Sequence, residues 1–144
     1  VMILASVDRS AKAEEILREA SKLAEALDEE VHALHVLSRS EFVELERTSV
    51  DKTGDGLSID RVKAVAREIA QDAIDAAGVE ATAVGRMGDP ADTVVQYAEE
   101  NGARYIVVGA RKRSPTGKAL FGSVSQAVLL SAEVPVVTTG HGAD

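Results

Sequence analysis

The chain of 144 residues contains no cysteine and no tryptophan, three prolines, two Phe and two Tyr. Lacking cysteine, it has no disulfide, no thiolate zinc site and no cysteine nucleophile. That composition is compatible with a reducing compartment. Long apolar runs are also missing: no stretch approaches the roughly 20 residues a membrane span needs, and the opening run at 2–7 is too short for a signal peptide and lacks its basic flank. We expect a soluble cytoplasmic protein folded as a single domain over 1–144, a length that buries a core without staples. Basic residues are the minority, 16 against 24 acidic ones for a net charge of −8, which argues against general nucleic-acid binding.

One stretch inverts that balance. Acids fall at about every sixth position on average, yet none occurs over 101–132, where Arg104, Arg111, Lys112, Arg113 and Lys118 lie. Within it Tyr105 opens a short apolar run that ends at Gly109. A basic loop follows, and Gly122 and Ser123 then lead into an apolar-periodic segment. Strand, cationic loop and helix start in that order build an anion site. The first amides of a helix are unpaired and carry the positive end of the peptide dipole, and glycine lets the main chain approach phosphate oxygens. A phosphorylated small molecule is the ligand class this arrangement suits. A basic loop tip that is merely solvated is the plainer alternative.

The remaining chain alternates strand and helix patterns. Apolar runs at 2–7, 31–36, 81–84, 105–109 and 134–138 are expected strands. Helical periodicity marks 13–27, with Ile16, Leu17, Ala20 and Leu23 on one face, and 60–77, with Val62, Val65, Ile69 and Ile74. Asp89 followed by Pro90 reads as a cap and first turn for a helix over 90–100, and a last helix is expected over 123–131. Residues 38–60 are polar, with breakers at Gly54 and Gly56. They read as a long loop holding at most a short helix at 41–47.

Solidly apolar strands alternating with helices imply a doubly wound α/β fold: a five-stranded parallel sheet, order 3-2-1-4-5, with helices on both faces. In such sheets ligands sit at the carboxyl ends of the strands where the order reverses, here between the first and fourth strands. Ser6, Val7 and Asp8 on one side and the segment from Gly109 on the other are then the expected walls.

Competing motifs are weaker. Gly117 and Lys118 would need a glycine at position 112 and a hydroxyl at 119 to form a P-loop, but Lys112 and Ala119 stand there. The turn after the first strand has no glycine, so a dinucleotide fingerprint is absent. His32 and His35, at odd spacing on a strand, point to opposite faces, which suits packing better than metal binding; no metal site is expected. Ser123 has no local His and acid to activate it, so capping a helix and holding phosphate is its expected role. Asp8 is either the cap of the first helix or a ligand contact, accepting from a ribose or helping to hold a metal ion.

The residues ILASVDRS at 3–10, HALHV at 32–36, GDPAD at 88–92 and the closing VPVV resemble the universal stress protein family over essentially the whole chain. So does the spaced pattern Gly109, Lys112, Gly122, Ser123, in which Lys112 replaces the family's second glycine. The resemblance implies an adenine nucleotide alpha hydrolase-like fold and the nucleotide-binding branch of the family. It would place adenine between the turn at Ser6, Val7 and Asp8 and the Val36 backbone. The phosphates would lie against Gly109, Arg111, Gly122, Ser123, Val124 and Ser125. Lys112 either holds the loop off the ligand or adds its ammonium to the phosphate site.

The ligand implied is ATP or AMP, with or without Mg2+, held by a binding module that does not turn it over. Pairing through the C-terminal strand implies a homodimer acting in a stress response with a regulatory protein partner. A member that works only through protein contacts and a slow ATPase are the two alternatives.

Overall fold

The computed structural model describes residues 1–8, 12–53, 58–110 and 122–139. Five parallel strands, β1 (Met2–Ser6), β2 (Glu30–Leu37), β3 (Thr82–Met87), β4 (Ala103–Gly109) and β5 (Val136–Thr139), form one sheet in the order β3-β2-β1-β4-β5. The expected topology is therefore the observed one. Helices α1 (Lys12–Leu27), α2 (Arg39–Thr53), α3 (Ile59–Ala77), α4 (Pro90–Glu100) and α5 (Ser123–Ser131) connect and cover it.

Successive strand residues point to opposite faces, and the core divides accordingly. Leu4, Leu34, Val36, Ile106 and Val108 pack with Val94 and Tyr97 of α4 and Val128 of α5. The alternate residues Ile3, Ala5, Val31, Ala33 and Val107 pack with Ile16 and Leu17 of α1 and Ala70 and Ile74 of α3. Both faces of the sheet are dry, which is why its central strands are apolar without alternation.

Helix ends follow the local chemistry. Asp89 accepts the Asp92 amide at 3.0 Å and Pro90 opens α4. Ser58 accepts the Arg61 amide at 3.2 Å to start α3, which Gly78 ends at φ +69°. No helix among the described residues is long and apolar enough to cross a membrane.

Three expectations are corrected. Much of the polar stretch 38–60 is not a loop: α2 runs over Arg39–Thr53. Its start is a reciprocal capping box, in which the Glu41 amide donates to Ser38 Oγ at 3.3 Å and the Ser38 amide donates to Glu41 Oε1 at 3.2 Å. Phe42 and Leu45 then bury one side of α2 against Leu37, Val62 and Ala66. Strand β3 extends past Val84 to Met87, because Gly85 and Arg86, which break the apolar run, pair with His35 and Val36 of β2. Strand β5 begins at Val136 and not at 134.

Candidate functional site

At the carboxyl ends of β1 and β4 lies a cleft of about 560 Å³. Ser6, Val7 and Asp8 form one wall. Gly109, with Gly122, Ser123, Val124 and Ser125 at the start of α5, forms the other, and Val36 closes the end of β2. Nine of the residues expected from the sequence are thus brought together from four separate segments. The remaining two, Arg111 and Lys112, lie outside the described residues.

Each wall has a definite cause. The Val7 amide donates to Leu34 O at 3.0 Å, which carries β1's pairing one residue past the strand and leaves Asp8 exposed at the rim. Gly109 sits close against α1: a Cβ there would stand 3.1 Å from Ile16 Cδ1, which would have to give by a few tenths of an ångström. Ser125 Oγ donates to Gly109 O at 2.9 Å and ties α5 to the end of β4.

The start of α5 is chemically bare. Its N-cap is Gly122, with φ −70° and ψ 165°, so Ser123 is the first helical residue and not the cap expected from sequence. Among the described residues no side chain caps this end, and no acid occurs in its first turn. The first intrahelical bond is the Gln126 amide to Gly122 O at 3.0 Å. The amides of Ser123, Val124 and Ser125 come before it and have no acceptor within the helix. Three amides at the positive end of a peptide dipole, beside small side chains, suit phosphate oxygens.

Several lining residues escaped the sequence reading. Lys12, from the first turn of α1, donates through Nζ to Ala110 O and brings a positive charge to the cleft. Among so many acidic neighbours in α1 it gave no sequence signal. Pro90 and Val94 of α4 add apolar lining beside Val36. His35 and Glu41 also line the cleft. His35 is 4% exposed; its Nδ1 lies 2.9 Å from Val7 O and its Nε2 3.3 Å from Glu41 Oε2. The Ser-x-x-Glu spacing at 38–41 was a signal for a helix start with Glu41 in its first turn.

The two strand histidines do point opposite ways. His32 meets the Tyr97 hydroxyl of α4 at 2.8 Å, whereas His35 meets Glu41 of α2. Among the described residues no three His, Cys, Asp or Glu side chains are grouped to hold a metal ion.

Comparison with known proteins agrees with this architecture. Residues 2–139 match the model of the universal stress protein family. Universal stress protein MJ0531 of Methanocaldococcus jannaschii is 28% identical over 94% of this chain and 79% of its own length. A 50-residue segment is 36% identical to stress response protein NhaX of Bacillus subtilis, covering 35% of this chain and 30% of that protein. Among solved structures, the universal stress protein of Archaeoglobus fulgidus in complex with dAMP is 24% identical, covers 96% of each chain and superposes with a TM-score of 0.57. The family match takes in all five strands and both walls of the cleft, and the chain belongs to the universal stress protein family.

Proposed function

We propose that the cleft binds an adenine nucleotide, ATP or AMP with or without Mg2+, and that the protein acts by occupancy as a regulatory homodimer. The observation that carries this reading is the uncapped, acid-free start of α5 facing the turn at Ser6, Val7 and Asp8 across a cavity of about 560 Å³. The volume falls within the range of small-molecule sites. The phosphates would lie on the amides of Ser123, Val124 and Ser125, with the Lys12 ammonium nearby. The base would lie between Val7, Val36 and Val94, whose aliphatic side chains fit a flat ring without stacking on it. Asp8, at the rim, would accept from the ribose. The dAMP complex of the Archaeoglobus fulgidus protein supports the ligand class.

A binding role is proposed in preference to turnover because phosphoryl transfer needs an in-line nucleophile and a base set against the γ-phosphate. Neither the sequence pattern nor the described residues of the cleft assign a side chain to that task.

Thermal denaturation with and without ATP and Mg2+ tests the reading. A ligand at about 100 times its Kd stabilises by about 2.7 kcal/mol, so millimolar ATP should raise Tm by several degrees. Gly122→Val should abolish that rise: its extended backbone accepts valine, and the added bulk falls at a residue that lines the cleft beside the first amides of α5. An unchanged Tm at millimolar ATP would remove the proposal.

A further inference from the structure

We infer that His35 is a positioning residue for the nucleotide cleft, acting with Glu41 in its doubly protonated form, so that ligand binding is linked to a proton on this buried ring. The inference rests on the nucleotide reading given above.

The hydrogen bonds carry the argument. Val7 O only accepts, so His35 Nδ1, 2.9 Å away, bears a hydrogen. A neutral imidazole has one N–H, which leaves Nε2 as a bare lone pair. That nitrogen faces Glu41 Oε2 at 3.3 Å. The other oxygen of this carboxylate already accepts the Ser38 amide in the capping box. An ionised carboxylate offers no proton, so two acceptors would confront each other. A second proton on His35 turns the repulsion into a charge-assisted bond.

The consequence reaches the cleft through one peptide. The Val7 amide is held by Leu34 O at 3.0 Å and its carbonyl by His35. The planar trans peptide then sets the direction in which Asp8 leaves β1. His35 thereby joins the base-side wall of the cleft to the N-terminus of α2.

The other charged groups lining this cleft among the described residues are Asp8 at the end of β1 and Lys12 of α1, the latter on Ala110 O. Helix α4 contributes Pro90 and Val94 to the lining, α3 packs Val62 and Ala66 against Leu37 on the His35 side of β2, and α5 brings Ser123 and Val124. None of those six titrates, and Glu41 is the carboxylate that meets the ring, at 3.3 Å.

Calorimetric titration of the full chain with ATP and Mg2+, from about pH 5.5 to about pH 8.5, tests the link across the range where imidazoles titrate. Wild-type affinity should fall about fivefold more than that of E41Q as pH rises, the effect of about one hydrogen bond. In E41Q the amide oxygen still serves Ser38, and the amide N–H meets the neutral ring, so the site no longer needs the second proton. The ligand's own titration is common to both proteins and cancels. His35→Ala should bind weakly and without this extra pH dependence, with circular dichroism confirming that it folds.

In ligand-free protein the Val7 carbonyl carbon resonance should move with pH over this range more in wild type than in E41Q. Equal pH slopes for wild type and E41Q would overturn the link to binding, and a Val7 resonance that ignores the ring would overturn the positioning. Failure of ATP to bind at every pH would sink the nucleotide reading instead, and the Val7 resonance would still decide the role of His35.

Discussion

Gly85 shows how much one missing side chain matters. A Cβ at this position would stand 2.3 Å from Lys63 O and 2.4 Å from the Arg67 amide nitrogen, both main-chain atoms of α3. Neither can rotate away, so Gly85→Ala should destabilise by about 3 kcal/mol or more, in the overpacking range and above. Urea denaturation measures it; a loss under about 1 kcal/mol would contradict the close approach.

His32 gives a signed pH effect. Burial holds its pKa below the usual histidine value, an effect partly offset by Glu30. A ring that resists protonation when folded leaves the unfolded state binding more protons. Its contribution is therefore complete above the unfolded pKa, about 6.5, and is lost as pH falls through that value toward the folded one. His32→Gln should flatten the decline in Tm on the acid side, leaving Tm above about pH 8 less affected.

At this scale the sequence was legible where chemistry is local. Asp89, Pro90 and Gly78 do what their types suggest. Lys12, His35 and Glu41 were not legible as lining residues, because their places depend on which strands are neighbours.

Among the elements, α2 was the one misread. Its exposed side is so polar that the stretch resembled a loop, and the evidence for a helix was confined to the Ser38 and Glu41 pair and to Phe42 and Leu45. Those two reach the small core beside α3, which only the fold reveals.

Helix α5 was expected at its observed place, but its cap was assigned one residue late. The difference matters, since Gly122 leaves the N-terminus without a side-chain acceptor. Ser123→Asp separates stability from binding at this helix. An acid in the first turn should stabilise the protein by about 0.3–1 kcal/mol. The same charge would oppose phosphate, and ATP affinity should drop about tenfold or more, a change of about 1.4 kcal/mol or greater. A variant that is more stable and binds ATP as well as wild type would show that the phosphates do not lie on this helix.

For the molecule as a whole, the alternation of strand and helix patterns was enough to give a doubly wound parallel sheet, and the order 3-2-1-4-5 is one of the two common orders that right-handed crossovers allow. The same order leaves β5 as an outer strand. Pro135 O and Thr139 O accept from Ile106 and Ala110 on the β4 side, so the intervening Val136 and Thr138 direct their main-chain groups to the free edge. Proline at 135 therefore removes no donor from that edge. We propose pairing there, and Leu130 of α5, 80% exposed, adds apolar surface available to a partner. Sedimentation velocity at micromolar concentration should find a dimer for wild type and a monomer for Thr138→Pro, which lacks one outward N–H. A wild-type monomer would rule the pairing out.

The contact at Gly85 also divides the sheet mechanically. On that flank a 19-residue helix rests backbone to backbone on a six-residue strand, so neither can slide without collision. On the opposite flank the outer strand β5 is only four residues long and pairs with β4. The cleft lies between that wedged flank and the short outer strand. The close approach of α3 to Gly85 makes the β3 flank the one expected to hold its place when the cleft fills.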